Sequence, residues 1–228
     1  MRRVVGGGSL VTMSFVFVDL DGTILDMRAR QYQVYKAILE PMGDRILELA
    51  SFWELKRQRA STASVLLASG ARVEPARFDE EWLERIESPS MLSLDTLQPG
   101  AIWALRSLRS THEVVVVTMR RRWKALCDQL GALGLLSEVD AIIVCQPEAR
   151  KDETVGRELG GRVDVVSSHW VGDTEVDIEA GTALGVTTWA VTCGIRDGRL
   201  LLRARPHYVC ESLAQVAGAV AAGRAKRV

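Results

Sequence analysis

Two acidic residues directly after an apolar run are the strongest chemical signal in the sequence. Residues 15–18 read Phe-Val-Phe-Val, and Asp19 and Asp21 follow, with Gly22 behind them. An uninterrupted apolar run rich in Val and Phe is typical of a parallel strand that is buried on both faces. Both carboxylates therefore fall at the carboxyl end of a strand, where open α/β sheets bind their ligands. Two acids at such an edge indicate a metal site, a nucleophile or both.

Three later segments place further reactive side chains in comparable positions. One apolar run ends in Thr118, and another is followed by a Gly-Asp-Thr-Glu-Val-Asp segment that contains Asp173 and Asp177. Lys151 lies between these two segments, at the start of a helical stretch. Because the carboxyl ends of parallel strands share one edge of a sheet, we expect these side chains to lie close to Asp19.

These residue types suit the cleavage of a phosphate ester. A phosphate monoester is anionic and repels nucleophiles, so a carboxylate can attack phosphorus only when a cation offsets the charge between them. Mg²⁺ is the natural cation because it takes hard oxygen ligands in octahedral geometry. No histidine is required for this chemistry.

Taken in order, the four segments resemble the signature of the haloacid dehalogenase-like hydrolase superfamily. That signature consists of Asp-x-Asp-Gly-Thr, a strand-end Thr or Ser, a Lys, and Gly-Asp-x-x-x-Asp. The resemblance covers residues 14–212, and four motifs in order are far more specific than any one of them. A lone Asp-x-Asp-Gly could be a turn, but the preceding strand and the later acidic segment argue against that interpretation.

The resemblance implies a role for each acid. Asp19 is implied as nucleophile and metal ligand, and the reaction would pass through an aspartyl-phosphate. Asp21 would offer its backbone carbonyl to Mg²⁺ and use its side chain for proton transfer. Asp173 is implied as a third ligand, and Asp177 either as a ligand through water or as a residue that orients the other ligands.

The resemblance also implies how phosphate would be held. Thr118 and the backbone amides near Asp21 would bind phosphate oxygens, and Lys151 would balance their charge. Beyond these, Arg120 lies two residues past Thr118 and is a candidate for contact with an anionic substrate. The predicted substrate-binding residues are therefore Leu20, Gly22, Thr118 and Arg120.

The cationic position has two candidates. Lysine in this family is often followed by proline, whereas Asp152 follows Lys151 here, and Arg150 stands directly before it. Lys151 is predicted as the catalytic cation, with Arg150 as the alternative.

Composition and charge exclude several classes of function. The chain has 228 residues, of which 47% are hydrophobic, enough for one substantial core and a second small module. The formal net charge is zero at pH 7, so we expect neither nucleic acid nor a membrane surface as a partner. The four cysteines form no Cys-x-x-Cys pair, which favours reduced, buried thiols and a cytoplasmic protein. The sequence leaves the oligomeric state open.

The strand pattern disappears for about seventy residues after Asp26, too many for a plain loop. Helical periodicity appears there instead, in residues 32–39, 45–58, 61–70 and 78–86. Position and length match the helical cap of the phosphoglycolate phosphatase-like branch, which closes over the substrate. We therefore predict a helical cap at residues 27–96, an α/β catalytic core at 14–26 and 97–228, and a disordered N-terminal extension at 1–13, with Met1 or Met13 as the native start.

The remainder of the chain alternates strands and helices. Apolar runs predict strands at 114–118, 141–144, 166–172, 186–191 and 207–209, with helices between them. This alternation favours a parallel sheet with right-handed crossovers. The predicted fold is α/β, a Rossmann-like parallel sheet core with an inserted α-helical cap domain.

The predicted function is a Mg²⁺-dependent phosphatase that acts on a small phosphorylated metabolite. A sugar phosphomutase of the same superfamily is the alternative, because it shares Asp19 and Asp21 and differs in how the cap excludes water. Asp21 argues against a dehalogenase, since a halide leaving group needs no proton. A phosphonatase would need a cap lysine in a recognisable motif, and Lys36 and Lys56 lack one. A partner-binding member without catalysis is the hypothesis from a different class.

Overall fold

A six-stranded parallel sheet forms the centre of the computed structural model, which describes residues 12–223. Its strands are β1 (Phe15–Val18), β4 (Glu113–Thr118), β5 (Ala141–Val144), β6 (His169–Gly172), β7 (Thr187–Val191) and β8 (Tyr208–Cys210). They lie in the order β5-β4-β1-β6-β7-β8, and every neighbouring pair is parallel. A separate antiparallel ribbon joins β2 (Leu25–Asp26) to β3 (Thr96–Leu97). The central strand β1 carries Asp19 at its carboxyl end.

Helices cover both faces of the sheet, which explains the uninterrupted apolar sequence of β1. On one face, Val16 and Val18 pack with α6 (Ala101–Arg109), α7 (Trp123–Ala132) and α11 (Leu213–Ala221). On the other face, Phe15 and Phe17 pack against Trp170 and against α8 (Lys151–Leu159) and α9 (Glu175–Leu184). Each fully buried side chain of this kind contributes about 1.5–3 kcal/mol relative to an exposed one. A short helix, α10 (Gly198–Arg203), lies between β7 and β8.

The segment between β2 and β3 is helical. It contains α1 (Arg28–Leu39), a 3₁₀ turn (Glu40–Met42), α2 (Leu49–Arg57), α3 (Thr62–Ser69), α4 (Pro75–Arg85) and α5 (Pro89–Leu92). These helices bury an apolar cluster that includes Tyr35, Phe52 and Phe78. The local start and stop signals are physical: Ser61 caps α3 by accepting a hydrogen bond from the Ser64 N–H, and Gly70 ends it in the left-handed conformation. The division into a cap at 27–96 and a core around it stays a prediction.

The predicted α/β fold class is confirmed, and some element bounds differ. Helix α1 begins at Arg28 rather than at residue 32, and β6 begins at His169 rather than at residue 166. The short helix α5 was not predicted. Met13, assigned by sequence to the N-terminal extension, forms a parallel bridge with Val163, so the prediction of disorder is wrong there. Residues 1–11 lie outside the described part of the chain.

The four cysteines are unpaired, as the sequence predicts. Only Cys145 is buried, however, and the other three are partly exposed. Among residues 12–223, no helix combines the length and the apolar composition needed to cross a membrane.

A half-buried histidine makes folding stability dependent on pH. Burial, with a smaller effect from His112, lowers the pKa of His169 to about 4. Its Nδ1 accepts a hydrogen bond from Trp189 Nε1 at 3.2 Å. The unfolded chain has the ordinary histidine pKa of about 6.5 and so binds more protons as the pH falls.

We therefore expect the free energy of unfolding to fall by about 2 kcal/mol between pH 7.5 and pH 5 through His169 alone. Urea unfolding of the wild type and of His169→Asn at both pH values isolates this contribution as the difference between their pH dependences. If the free energy of unfolding depends on pH equally in both proteins, folding does not hold His169 in its neutral form.

Candidate active site

Asp19 and Lys151 meet at the carboxyl edge of the sheet. Asp19 directly follows β1, and Lys151 is the first residue of α8. The Lys151 Nζ donates to Asp19 Oδ1 at 2.5 Å and to Asp177 Oδ1 at 2.7 Å. Lys151 is 4% exposed. A lysine beside a helix N-terminus is disfavoured by the helix dipole, so its two carboxylate partners are what hold it there.

Asp177 also caps the helix that carries it. Its Oδ2 accepts hydrogen bonds from the Thr174 N–H at 3.3 Å and from the Thr174 hydroxyl at 2.6 Å. Thr174 is the N-cap of α9 and Asp177 is its third residue, which is the capping-box arrangement. Both oxygens of Asp177 are therefore engaged, one by the cap and one by Lys151.

Asp173 lies in a tight backbone cradle. Its Oδ2 accepts from the Ile195 N–H at 2.6 Å, and its Oδ1 accepts from the Thr23 hydroxyl at 3.4 Å. A methyl group at either Gly22 or Gly194 would collide with the Asp173 carboxylate. Gly22 additionally has a φ of +93°, which disfavours any side chain. Glycine is thus required at both positions to let the backbone approach this carboxylate.

Three buried carboxylates surround one lysine, which leaves negative charge uncompensated. One oxygen from each of Asp19, Asp173 and Asp177 lies within 4.8 Å of the others. Burial, together with Asp177, raises the pKa of Asp173 to about 7. Burial likewise raises the pKa of Asp19 well above its usual range, although Lys151 opposes the shift. A hard divalent cation fits this donor set, because it would supply the missing positive charge to oxygen ligands.

Asp21 lies outside the carboxylate cluster and is held by two arginines. Arg120 donates from Nε to Asp21 Oδ2 at 2.5 Å and from Nη2 to Oδ1 at 2.7 Å, and Arg30 Nη2 donates to Oδ1 at 2.6 Å. Burial would raise the pKa of Asp21, but Arg30 and Arg120 outweigh it and hold the pKa well below its usual range. Asp21 is therefore a carboxylate in this arrangement. The sequence predicts Arg120 as a contact for an anionic substrate, and the structure adds its ion pair with Asp21.

A cavity of about 320 Å³ opens above these groups. It is lined by predicted residues, namely Asp19, Asp21, Thr118, Arg120 and Lys151. Further lining comes from α1 and from the loop after β7, and its polar members are Arg30, Gln31 and Arg196. The size is that of a small-molecule site, and the walls combine the sheet edge with the helical segment.

Two of the predicted substrate-binding residues, Leu20 and Gly22, are not among those that line this cavity. The Leu20 side chain is fully buried in the core, and the predicted contact of its backbone amide with phosphate stays a prediction. The Gly22 N–H donates to the Leu25 carbonyl at 2.8 Å, so it is not free to bind a phosphate oxygen. Thr118 and Arg120 do line the cavity. Glycine is required at position 22 because the Asp173 carboxylate lies against its backbone, not because it contacts the substrate.

Arg150, the alternative candidate for the cationic position, lies outside the carboxylate cluster. Arg150 is exposed and pairs with Asp152, its Nε lying 3.1 Å from Asp152 Oδ1. Lys151, by contrast, points into the carboxylate cluster. The geometry therefore favours Lys151 for the cationic position.

Sequence reasoning overlooked Asp95 and Arg196. Asp95 is buried and pairs with Arg30 and Arg120. Arg196 lines the cavity and pairs with Glu175 at 2.8 Å. Neither residue belongs to a periodic pattern or to a motif, so the sequence carried no signal for them.

A larger cavity of about 690 Å³ lies between α5 and α7. None of Asp19, Asp173 and Asp177 lines it, so we place the chemistry in the smaller cavity.

Known proteins resemble this chain in sequence and in fold. The family described as haloacid dehalogenase-like hydrolase matches residues 16–191. A phosphoglycolate phosphatase from Synechococcus elongatus is 27% identical over 214 residues, covering 91% of this chain and 97% of the relative. A phosphoglycolate phosphatase from Cereibacter sphaeroides is 25% identical over 194 residues, covering 81% and 87%.

A solved structure resembles the whole chain. The haloacid dehalogenase-like family protein from Streptococcus pneumoniae superposes with a TM-score of 0.73 at 18% identity, covering 90% of this chain and 97% of that one. This similarity supports the fold, and the family match over residues 16–191 includes the residues of all four motifs. The chain therefore belongs to the haloacid dehalogenase-like hydrolases.

Proposed function

We propose that the protein is a Mg²⁺-dependent phosphatase that hydrolyses a small phosphorylated metabolite through an aspartyl-phosphate on Asp19. The observation that carries the proposal is the buried cluster of Asp19, Asp173 and Asp177 around Lys151, at the floor of a small cavity. The relatives named phosphoglycolate phosphatase support phosphate monoesters as the substrate class.

Asp19 attacks phosphorus with the oxygen that Lys151 does not hold. Lys151 binds Oδ1, which leaves Oδ2 to form the new bond while the ester oxygen departs. Water then attacks the phosphorus of the aspartyl-phosphate, which restores the Asp19 carboxylate and releases inorganic phosphate. Thr118 and Lys151 would bind the phosphate oxygens.

Asp21 would transfer the proton in both steps. It would give a proton to the leaving oxygen and then take one from the attacking water. Its pairing with Arg30 and Arg120 suits the second step, because that step requires the carboxylate form. For the first step, the arginines would have to release Asp21 as substrate enters.

Asp19, Asp173 and the backbone carbonyl of Asp21 would hold Mg²⁺, and Asp177 would orient Lys151 and the ligands. The bound ion would offset the charge between carboxylate and phosphate and align the phosphoryl group. The capping box and the ion pair of Asp177 support its role as an orienting residue.

The cavity volume of about 320 Å³ supports a small substrate. Arg196 and Gln31, which also line the cavity, would contact the leaving group. The free cysteines support a reducing, cytoplasmic setting.

Turnover measurements test this proposal. We expect release of inorganic phosphate from p-nitrophenyl phosphate and from at least one of phosphoglycolate, sugar phosphates and nucleotides, with Mg²⁺ present. Chelation with EDTA should abolish it, and Mg²⁺ should restore it. Transfer of phosphate between sugar positions without net release would instead establish the phosphomutase, and no turnover on any substrate would favour a partner-binding protein.

A further inference from the structure

Asp95 is a buried acid with three partners, and it lies just before β3, where the chain returns from the helical segment to the sheet. Its side chain has no exposed surface. Its carboxylate accepts from Arg30 Nε at 2.9 Å, from Gln129 Nε2 at 2.7 Å and from Arg120 Nη2 at 3.3 Å. A carboxylate without exposure is costly unless its partners satisfy it, so this set of contacts requires an explanation.

The same two arginines hold Asp21. Arg30 donates from Nε to Asp95 and from Nη2 to Asp21, and Arg120 Nη2 contacts both acids. Two acids and two arginines thus form a closed ring with no net charge. Both arginines are nearly buried, with 3% and 4% of their side chains exposed.

The ring links four separate parts of the chain. Asp21 follows β1, Arg30 is on α1, Asp95 precedes β3, and Arg120 follows β4. The catalytic cavity, as formed by the described residues, is lined by Asp21, Arg30 and Arg120, whereas Asp95 lies behind them. Asp95 therefore reaches the site only through the two guanidinium groups.

We propose that Asp95 is a positioning residue that fixes Arg30 and Arg120 and through them the orientation of the Asp21 side chain. Without the Asp95 charge, two buried guanidinium groups would share one carboxylate, and they would turn toward the phosphate site or toward water. Asp21 would then lose its fixed orientation. The inference depends on the proposed function, in which Asp21 exchanges a proton with the leaving group and with water.

Asp95→Asn is the direct test, because the amide has the same shape without the charge. We expect kcat for p-nitrophenyl phosphate with Mg²⁺ to fall by about 10- to 100-fold, part of the loss expected for a general acid-base residue. KM should fall in parallel with kcat, so that kcat/KM stays within about threefold of the wild type, because Asp95 does not touch the substrate and the first phosphoryl transfer is spared. The first turnover should stay fast, as a burst of p-nitrophenolate, since this leaving group needs little protonation and the later water attack needs Asp21.

A double-mutant cycle separates positioning from a general loss of structure. If Asp95 acts through Asp21, the variant that combines Asp21→Asn with Asp95→Asn should be no slower than Asp21→Asn alone. Glu138→Gln is the control, because Glu138 also has little exposed surface (7%) and pairs with Arg106, at an N–O distance of 2.7 Å. This ion pair does not line the catalytic cavity. Its kcat should stay within about twofold of the wild type.

The possible outcomes are distinct. Additive losses in the cycle, or an unchanged kcat in folded Asp95→Asn, would overturn the inference and leave the proposed function standing. An unchanged kcat in Asp21→Asn would instead refute the proposed role of Asp21, and with it the inference. If Asp95→Asn does not fold, Gln129→Leu removes the neutral partner of Asp95, and it should lower kcat by about three- to tenfold with kcat/KM unchanged. An unchanged kcat in that variant would count against the inference.

Discussion

Asp19→Asn is expected to lower kcat for p-nitrophenyl phosphate by at least about 10³-fold while the protein stays folded. An amide is a poor nucleophile and a poor metal ligand, so one substitution removes both proposed roles. It also removes one of the two carboxylates that pair with Lys151. Steady-state kinetics and circular dichroism on the same preparation measure the two expectations together.

Asp26→Asn is the matched control for this variant. Asp26 lies seven residues further along the chain, in β2, and pairs with the exposed Arg28. Its substitution should leave kcat within about twofold, because surface ion pairs contribute little. Near wild-type activity in Asp19→Asn would show that the nucleophile lies elsewhere.

Asp173→Asn is expected to change activity and stability in opposite directions. The variant keeps an oxygen that can accept from the Ile195 N–H, but it removes one of three buried negative charges around Lys151. Turnover at low Mg²⁺ should fall by about 10²-fold or more, and high Mg²⁺ should restore part of it. In EDTA at pH 8 the variant should be more stable than the wild type, because less uncompensated charge is buried.

Thermal unfolding with and without Mg²⁺ checks the stability part. The wild type should gain stability on addition of Mg²⁺, and Asp173→Asn should gain far less. Asp21→Asn should lose activity that Mg²⁺ does not restore, since it removes proton transfer. The same metal response in both variants would contradict the division of roles between Asp173 and Asp21.

The sequence was informative where one residue type is tied to one element. The run before Asp19 is apolar at every position because β1 is covered on both faces, and this predicted the strand and the position of its acid. The order of the motifs also placed Thr118 and Lys151 at the same sheet edge. In these cases the local composition predicts a buried parallel strand, and the end of such a strand lies at the ligand-binding edge of the sheet.

The sequence was uninformative where side chains pair across long distances. Asp95 contacts Arg30 across 65 residues, and Asp21 contacts Arg120 across 99. Such pairs follow no period, and an arginine that will be buried looks the same in sequence as one that faces solvent. For the same reason the ion pair of Arg120 with Asp21 could not be predicted from the arginine run 120–122.

The most direct test of the account is to trap the proposed aspartyl-phosphate. The protein is mixed with Mg²⁺ and a ³²P-labelled phosphate monoester, quenched in acid within the first turnovers, digested and mapped. We expect acid-stable, base-labile label on the peptide that contains Asp19, and none in Asp19→Asn. Label on a different peptide, or continued turnover without labelled protein under conditions that trap such intermediates, would contradict catalysis through Asp19.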